Sequence, residues 1–202
     1  ELLEAPRISR KLPDTLNIVE IEKMFESIDR SKAEGERNRC ILEVLYGCGL
    51  RVSELINMKI SNIYFRDGFI RILGKGRKER LVPLGEIAAR HIKIYMEEVR
   101  VHIRPLKGEE DYLFISKRGK RLTREMIFVI IRQLAQKAGI RKKVSPHTFR
   151  HSFASHLVEG GADLRALQEI FLFNYITTTE IYTHLEKKYL KNMIEKYHPR
   201  GS

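Results

Sequence analysis

Tryptophan is absent from this 202-residue chain, cysteine occurs only twice, and no apolar run approaches the length of a membrane span. Cys40 and Cys48 are eight positions apart, without a Cys-x-x-Cys pattern or a companion histidine cluster, which argues against a zinc site. Both lie in an apolar helical run, as reduced core cysteines do. The beginning of the chain also lacks the apolar segment of a signal peptide. These absences predict a cytoplasmic protein with no membrane partner.

Acidic residues are few compared with basic ones. The chain has 38 Lys and Arg against 26 Asp and Glu, a formal net charge of +12. That excess suits a polyanionic partner, such as nucleic acid or an acidic membrane face, although a merely soluble basic protein can have the same balance. With 43% hydrophobic residues, the chain can bury the core of one sizeable domain or two small ones.

Helical periodicity covers most of the chain. Asn17 followed by Glu20 has the spacing of a capping box and predicts a helix start, and Thr123 predicts another. Residues 1–14 are polar, contain two prolines and are interpreted as an interdomain linker. Residues 15–202 are interpreted as one compact domain, and the lack of an initiating Met indicates a piece of a longer protein.

The hydrophobic period becomes strand-like between Ile60 and Val82. Turns are predicted at Asp67-Gly68 and at Gly74-Lys75-Gly76, which gives a small three-stranded antiparallel sheet with Lys75 at its second turn. The segment "DYLFIS" (111–116) predicts a further short strand. The predicted fold class is therefore mostly α with one small antiparallel β-sheet, an α+β fold.

The densest functional signal lies between Ser145 and Tyr182. Ser145 is a good helix N-cap and Pro146 a good first helical residue, so His147 and Arg150 fall on one face of the opening turn. There the unpaired backbone amides favour an anion such as phosphate. A tyrosine such as Tyr182 can act as a nucleophile when a phosphate is held beside it. Each residue also has a plainer interpretation, as surface charge or as packing.

Arg51 and Lys75, also at the ends of elements, extend this set. Two Arg, a Lys, a His and a Tyr suit one chemistry, in which a tyrosine hydroxyl attacks a phosphodiester, guanidiniums bind the non-bridging oxygens and a lysine protonates the leaving alcohol. A covalent phosphotyrosine keeps the bond energy, so no ATP, metal or other cofactor is expected. Taken alone, Arg51 would be a charge at a helix end and Lys75 a solvated turn residue.

Four segments, in this order, resemble the active-site boxes of the tyrosine recombinase and phage integrase family, and in particular the Xer type that resolves chromosome dimers. They are "YGCGLRVSELINMKISNI", "GKGRKERLVPL", "HTFRHSFASHLVEGGADLRALQEI" and "TTTEIYTHL". The similarity runs from about Leu12 to Arg200. It implies the catalytic-domain fold of that family and site-specific cleavage and rejoining of DNA through a 3′-phosphotyrosine.

The resemblance also implies a role for each matching residue. Arg51 and Arg150 would bind the phosphate, and Lys75 would be the general acid toward the 5′-hydroxyl. His147 would assist proton transfer or hold a phosphate oxygen. Tyr182 would be the nucleophile.

Three further positions qualify this match. Glu54 would support the site from behind, although a carboxylate three residues from an arginine often does no more than pair with it. Where the family usually reads Leu-Gly-His, counting back from Tyr182 places Leu172 at the Gly and Phe173 at the His, a position that is sometimes Trp. Phe173 cannot donate a hydrogen bond to a phosphate oxygen, and Leu172 changes the turn if that turn needs a positive φ. Weakened rather than abolished cleavage is expected.

The resemblance further implies partners. Double-stranded DNA is the expected substrate, held weakly and in a salt-dependent way because the family's N-terminal DNA-clamping domain is absent from this chain. The last helix, 186–197, would dock on a neighbouring protomer of a tetramer, or would fold back on its own domain. A translocase is a possible activator.

Three alternatives remain beside an Xer recombinase. One is a DNA-binding paralogue with weakened or lost catalysis, an alternative that Phe173 favours. The others are an integrase of a mobile element and a type IB topoisomerase, which share the phosphotyrosine chemistry.

Overall fold

The computed structural model describes residues 15–74, 79–163, 165, 167 and 184–201. Its helices are α1 (Ile18–Glu26), α2 (Ala33–Cys48), α3 (Val52–Ile56), α4 (Glu86–Glu98), α5 (Arg124–Lys137), α6 (Pro146–Glu159) and α7 (His184–Tyr197). Its strands are β1 (Ile63–Tyr64), β2 (Phe69–Leu73) and β3 (Glu79–Pro83), with short 3-10 turns at Ile60–Asn62 and Arg100–His102. This confirms the predicted α+β class. The predicted linker, 1–14, lies outside the described residues.

The predicted helix caps are present. Asn17 Oδ1 accepts from the Glu20 amide at 2.8 Å, and Glu20 Oε2 accepts from the Asn17 amide at 2.9 Å, so the capping box closes both ways. Thr123 Oγ1 accepts from the Met126 amide at 3.2 Å at the start of α5. Of the helices that the structure describes, none is long and apolar enough to cross a membrane.

The three strands form one antiparallel sheet in the order β1-β2-β3, as predicted. In β2 and β3, Ile70 pairs with Val82 and Ile72 with Arg80, and these four side chains are buried. The first turn is closed by the Gly68 amide, which donates to the Tyr64 carbonyl at 2.8 Å. The predicted second turn, with Lys75, begins at Gly74, and residues 75–78 lie outside the described residues.

The strand predicted at 111–116 is wrong. Only isolated bridges occur there, between Tyr112 and Lys59 and between Ile115 and Arg121. The apolar run exists because Leu113 to Ile115 are fully buried. Each of the two neighbouring segments forms only one bridge with residues 111–116, so no strand ladder develops. The strand-like pattern of the sequence came from burial alone.

Helix α2 is the centre of the main hydrophobic core and packs against α4 and α6. Its residues from Cys40 to Cys48 are all buried. Burial raises the pKa of both cysteine thiols, that of Cys48 to about 12, so both stay protonated. This confirms the prediction that the two cysteines are core residues.

Helix α7 belongs to a smaller apolar cluster with α6. Leu190, Met193 and Ile194 of α7 pack against Phe153 and Leu157 of α6. From the sequence, this helix could dock on a neighbouring protomer or fold back on its own domain. In the structure it folds back on its own domain.

Candidate active site

Three of the six predicted site residues lie in the described part of the chain: Arg51, His147 and Arg150. Arg51 is the N-cap of α3, and the other two lie in the first turns of α6. Lys75, Phe173 and Tyr182, together with Leu172, fall outside the described residues. The described residues therefore belong to the phosphate-binding side of the predicted site.

Arg150 reaches across to the turn between α2 and α3. Its Nη1 donates to the carbonyl oxygen of Gly49 at 2.6 Å, two residues before Arg51. Gly49 ends α2 in the left-handed conformation, with φ at +63°, and a Cβ there would lie 2.5 Å from the ring of Phe153. The absence of a side chain thus lets α6 approach this turn closely. Two predicted arginines, 99 positions apart in sequence (150 − 51), are brought to one turn.

Arg51 is held by Glu54 in two ways. Its backbone amide donates to Glu54 Oε2 at 2.8 Å, and its Nη1 lies 3.4 Å from Glu54 Oε1. Ser, Thr, Asp and Asn are the usual N-caps, so an arginine N-cap relies on the third residue of the helix to close the box. About 39% of the Arg51 side chain remains exposed. Glu54 therefore orients the Arg51 side chain, which is still partly accessible.

Arg80 completes this group and was missed by the sequence analysis. Its Nη2 donates to Glu54 Oε2 at 2.7 Å and its Nε to Glu54 Oε1 at 3.3 Å. Both side chains are almost fully buried. A signal was present in the sequence, because the two-residue period of a strand places Arg80 on the same face as Val82. An inward-facing arginine needs a buried partner, and Glu54 is that partner.

Histidines flank Arg150 on α6. His147 is exposed one position after Pro146, and Ser145 precedes them as the predicted N-cap, its amide donating to Thr148 Oγ1 at 3.0 Å. His151 was not singled out from the sequence. Burial lowers its pKa, and the neighbouring His147 and Arg150 lower it further. The Arg150 guanidinium and the N-terminus of α6 together favour an anion here.

Comparisons with known proteins place nearly the whole chain in one family. The model of the phage integrase family matches residues 15–189. Tyrosine recombinase XerD of Staphylococcus aureus is 44% identical over 200 residues, which cover 99% of this chain and 68% of that protein. The chain thus spans about two thirds of the length of this relative.

Two solved structures are similar as well. The crystal structure of XerA recombinase has a TM-score of 0.71 at 35% identity, and the match covers 94% of this chain and 66% of that one. XerH site-specific recombinase, in a pre-cleavage complex with its difH substrate, has a TM-score of 0.71 at 31% identity, covering 81% of this chain and 48% of that one. The chain therefore belongs to the phage integrase family of tyrosine recombinases and is similar to its Xer members.

Proposed function

We propose that residues 15–202 are the catalytic domain of a site-specific recombinase, which cleaves and rejoins double-stranded DNA through a covalent 3′-phosphotyrosine. The observation that carries the proposal is the hydrogen bond from Arg150 to the Gly49 carbonyl, which brings the second arginine to the turn before Arg51. Two guanidiniums from separate boxes on one side of a site suit the non-bridging oxygens of a phosphate.

In the proposed reaction, one phosphoester bond forms as another breaks. The Tyr182 oxygen attacks the scissile phosphorus, a phosphotyrosine bond forms and the bond from phosphorus to the 5′-oxygen breaks. The hydroxyl proton of Tyr182 leaves to water or to His147, which assists proton transfer or holds a phosphate oxygen, and Lys75 gives the departing 5′-oxygen its proton. Arg51 and Arg150 stabilise the charge of the transition state. The reverse attack by a 5′-hydroxyl rejoins a strand, so the steps require no ATP and no metal.

Double-stranded DNA is the proposed partner. XerH, which is similar to this chain, is bound to its difH substrate in its solved structures before and after cleavage, and the net charge of +12 suits a polyanion. By analogy with the Xer type, we propose a role in chromosome dimer resolution in the cytoplasm. The assembly would be a tetramer on DNA in which α7 moves from its intrachain site to a neighbouring protomer, with activation by a translocase.

The test uses the protein with a nicked duplex that carries its recombination site, so that cleavage releases a short strand and traps the intermediate. A covalent protein–DNA band on a denaturing gel is expected for the parent and not for Tyr182→Phe. A band of equal strength in Tyr182→Phe would assign the nucleophile elsewhere. If neither protein gave a band while both bound the duplex, the enzyme proposal would be wrong.

A second candidate is a DNA-binding paralogue with weakened catalysis. Phe173 favours it, because it stands where the family usually has a hydrogen-bond donor to the phosphate. The five other matching positions favour the enzyme, since a protein that only binds DNA has no use for a tyrosine nucleophile. A duplex-binding protein that gives no covalent band until Phe173 is changed to His would fit this second candidate.

A further inference from the structure

The ion pair between Arg80 and Glu54 is buried and has no part in the reaction just described. Only 3% of the Arg80 side chain and 4% of the Glu54 side chain are exposed. A buried ion pair seldom adds net stability compared with apolar side chains, because both charges lose their hydration. Stabilisation of the fold alone is therefore a weak account of this pair.

Glu54 joins Arg80 to Arg51. Oε2 of Glu54 accepts from Arg80 Nη2 at 2.7 Å and from the Arg51 amide at 2.8 Å. Oε1 lies 3.3 Å from Arg80 Nε and 3.4 Å from Arg51 Nη1. Of the two guanidiniums, that of Arg80 lies closer to the Glu54 carboxylate. Arg80 therefore balances most of the carboxylate's charge. The carboxylate is fixed in orientation, and its contact with the Arg51 guanidinium is the longest of these four.

The removal of Arg80 would change what Arg51 can do. Without that second cation, the buried Glu54 carboxylate would draw the Arg51 guanidinium into a tight pair, since a buried charge requires a partner. Arg51 would then turn toward Glu54, and that carboxylate would neutralise its positive charge. A lysine at position 80 would keep the charge, but one ammonium cannot bridge two carboxylate oxygens as a guanidinium does.

We propose that Arg80 is a positioning residue for the phosphate-binding step: by satisfying Glu54, it keeps the Arg51 guanidinium directed at the non-bridging oxygen of the scissile phosphate. This inference rests on the proposed function of Arg51. Because only 3% of its side chain is exposed, Arg80 would act on the phosphate through Glu54 and Arg51 and not by direct contact. The proposal also gives β3 a role, because the strand that follows the Lys75 turn fixes the first arginine of the site through Arg80.

The test compares two nicked duplexes that differ only at the scissile position, one with the natural phosphate and one with a methylphosphonate. The methylphosphonate lacks one anionic oxygen, so its cleavage depends less on arginine charge. Arg80→Lys should form the covalent complex on phosphate more slowly by a factor of about 10², the scale of a catalytic group misplaced by an ångström. On methylphosphonate the loss should shrink to within a few-fold of the parent, as it should for Arg51→Ala.

Two further variants separate positioning from folding. The pair Arg80→Met with Glu54→Gln removes both buried charges together, which avoids an orphaned carboxylate, and it should show the same rescue because the fixed carboxylate behind Arg51 is gone. Arg39→Lys alters a partly buried arginine, which pairs with the buried Glu43 at 2.9 Å and lies about 13 Å along α2 before its end at Cys48. Any loss in this control should be equal on the two substrates.

Each outcome decides between the proposals. If the parent forms no covalent complex on the phosphate duplex, the proposed function is wrong. If the parent reacts and the Arg80 variants lose nothing, or lose equally on both substrates as the Arg39 control does, Arg80 has only a structural role and this inference is wrong. A third substrate has sulfur in place of the 5′-bridging oxygen, and departure of that sulfur needs no acid. If this substrate rescued Arg80→Lys and the methylphosphonate did not, Arg80 would act through Lys75 and this inference would be wrong.

Discussion

Gly49 is the residue on which the approach of the two arginines depends. Its carbonyl receives Arg150, and its lack of a side chain leaves room for the ring of Phe153, which is fully buried one turn further along α6. The same position also requires the left-handed backbone that ends α2. One glycine therefore sets both a helix end and the distance between two helices.

Gly49→Ala should lower both stability and cleavage. The left-handed conformation costs an alanine about 1 kcal/mol, and displacement of the Phe153 ring adds roughly 1–3 kcal/mol. Thermal unfolding and the nicked-duplex assay would measure the two effects. Gly139→Ala is the matched control, because Gly139 has a similar φ of +72° and a Cβ there meets nothing within 4 Å. Equal effects of the two variants would contradict the role given to the Phe153 contact.

Phe173→His should raise the rate of covalent complex formation. A donor to a phosphate oxygen typically contributes a factor of about 10²–10³ in rate, and phenylalanine supplies none. Single-turnover cleavage of the nicked duplex would measure the change, with Phe173→Leu as a control that removes the ring without adding a donor. An unchanged rate in Phe173→His would show that this site does not use a donor at that position.

At the scale of elements, two residues that follow α7, the buried His198 and the partly buried Arg200, form what is here called the latch. His198 Nε2 donates to the Tyr46 carbonyl at 3.1 Å, and its Nδ1 accepts from the Arg200 amide at 3.0 Å. The Arg200 guanidinium pairs with Glu43 at 2.7 Å and with Glu22 at 2.6 Å. The latch joins α7 to α1 and α2, so polar contacts hold α7 within its own chain in addition to its apolar face.

Acid should weaken the latch. Burial lowers the pKa of His198 to about 4, and its Nδ1 has no room for a proton while it accepts from Arg200. An unfolded histidine titrates near pH 6.5, so between about pH 6.5 and pH 4 the unfolded chain binds more protons than the folded one. The contribution to stability is complete above pH 6.5 and is lost as the pH falls toward 4, by at most roughly 1.4 kcal/mol per pH unit.

Urea unfolding across this pH range would measure the effect. Burial also lowers the pKa of His91 and His156, so the parent slope contains more than one group. His198→Gln should be less stable than the parent at pH 7 and should lose less stability on acidification. Parallel pH profiles for the two proteins would show that His198 does not titrate in this range.

Arg200→Ala should destabilise the fold by about 3 kcal/mol, because it removes the closest partner of a carboxylate that is almost fully buried. Arg39 would still pair with Glu43 at 2.9 Å, which limits the loss. Lys191→Ala is the control on α7, the helix that precedes Arg200, since the pair of Lys191 with Glu195 is exposed at 3.9 Å and should matter by less than about 0.5 kcal/mol. Similar losses in the two variants, by urea unfolding, would contradict the latch.

At the scale of the whole molecule, the excess of positive charge is the dominant property. The net charge of +12 favours DNA of any sequence, because contacts with phosphates release counterions without reading bases. Some cations are already paired internally, as Arg80 and Arg200 are, so the count of 38 Lys and Arg overstates the number of cations offered to DNA.

Binding of this chain to duplex DNA should weaken steeply with salt. Each phosphate neutralised contributes about −0.9 to the slope of log affinity against log salt concentration, so several contacts lower the affinity by orders of magnitude between 50 and 200 mM salt. Fluorescence anisotropy with Tyr182→Phe would measure binding without cleavage. A scrambled duplex is the control and should bind nearly as well. A slope near zero would contradict DNA binding through phosphates.

The sequence by itself determined the element types, the helix caps and the small sheet, because hydrophobic period, capping residues and turn residues act over a few positions. It also singled out Arg51, His147 and Arg150 through their places at element ends and through the family resemblance. The strand expected at 111–116 was wrong because burial and strand formation produce the same apolar run over so short a segment.

Only the tertiary structure decided which distant groups meet. The bond from Arg150 to Gly49 spans 101 positions, that from Arg80 to Glu54 spans 26, and that from Arg200 to Glu43 spans 157. Local patterns carry no information about such pairs, since they form only when whole elements pack and buried charges must find partners. The intrachain docking of α7 was decided in the same way, because the sequence left both its own domain and a neighbouring protomer open, and in the structure its apolar face packs on α6.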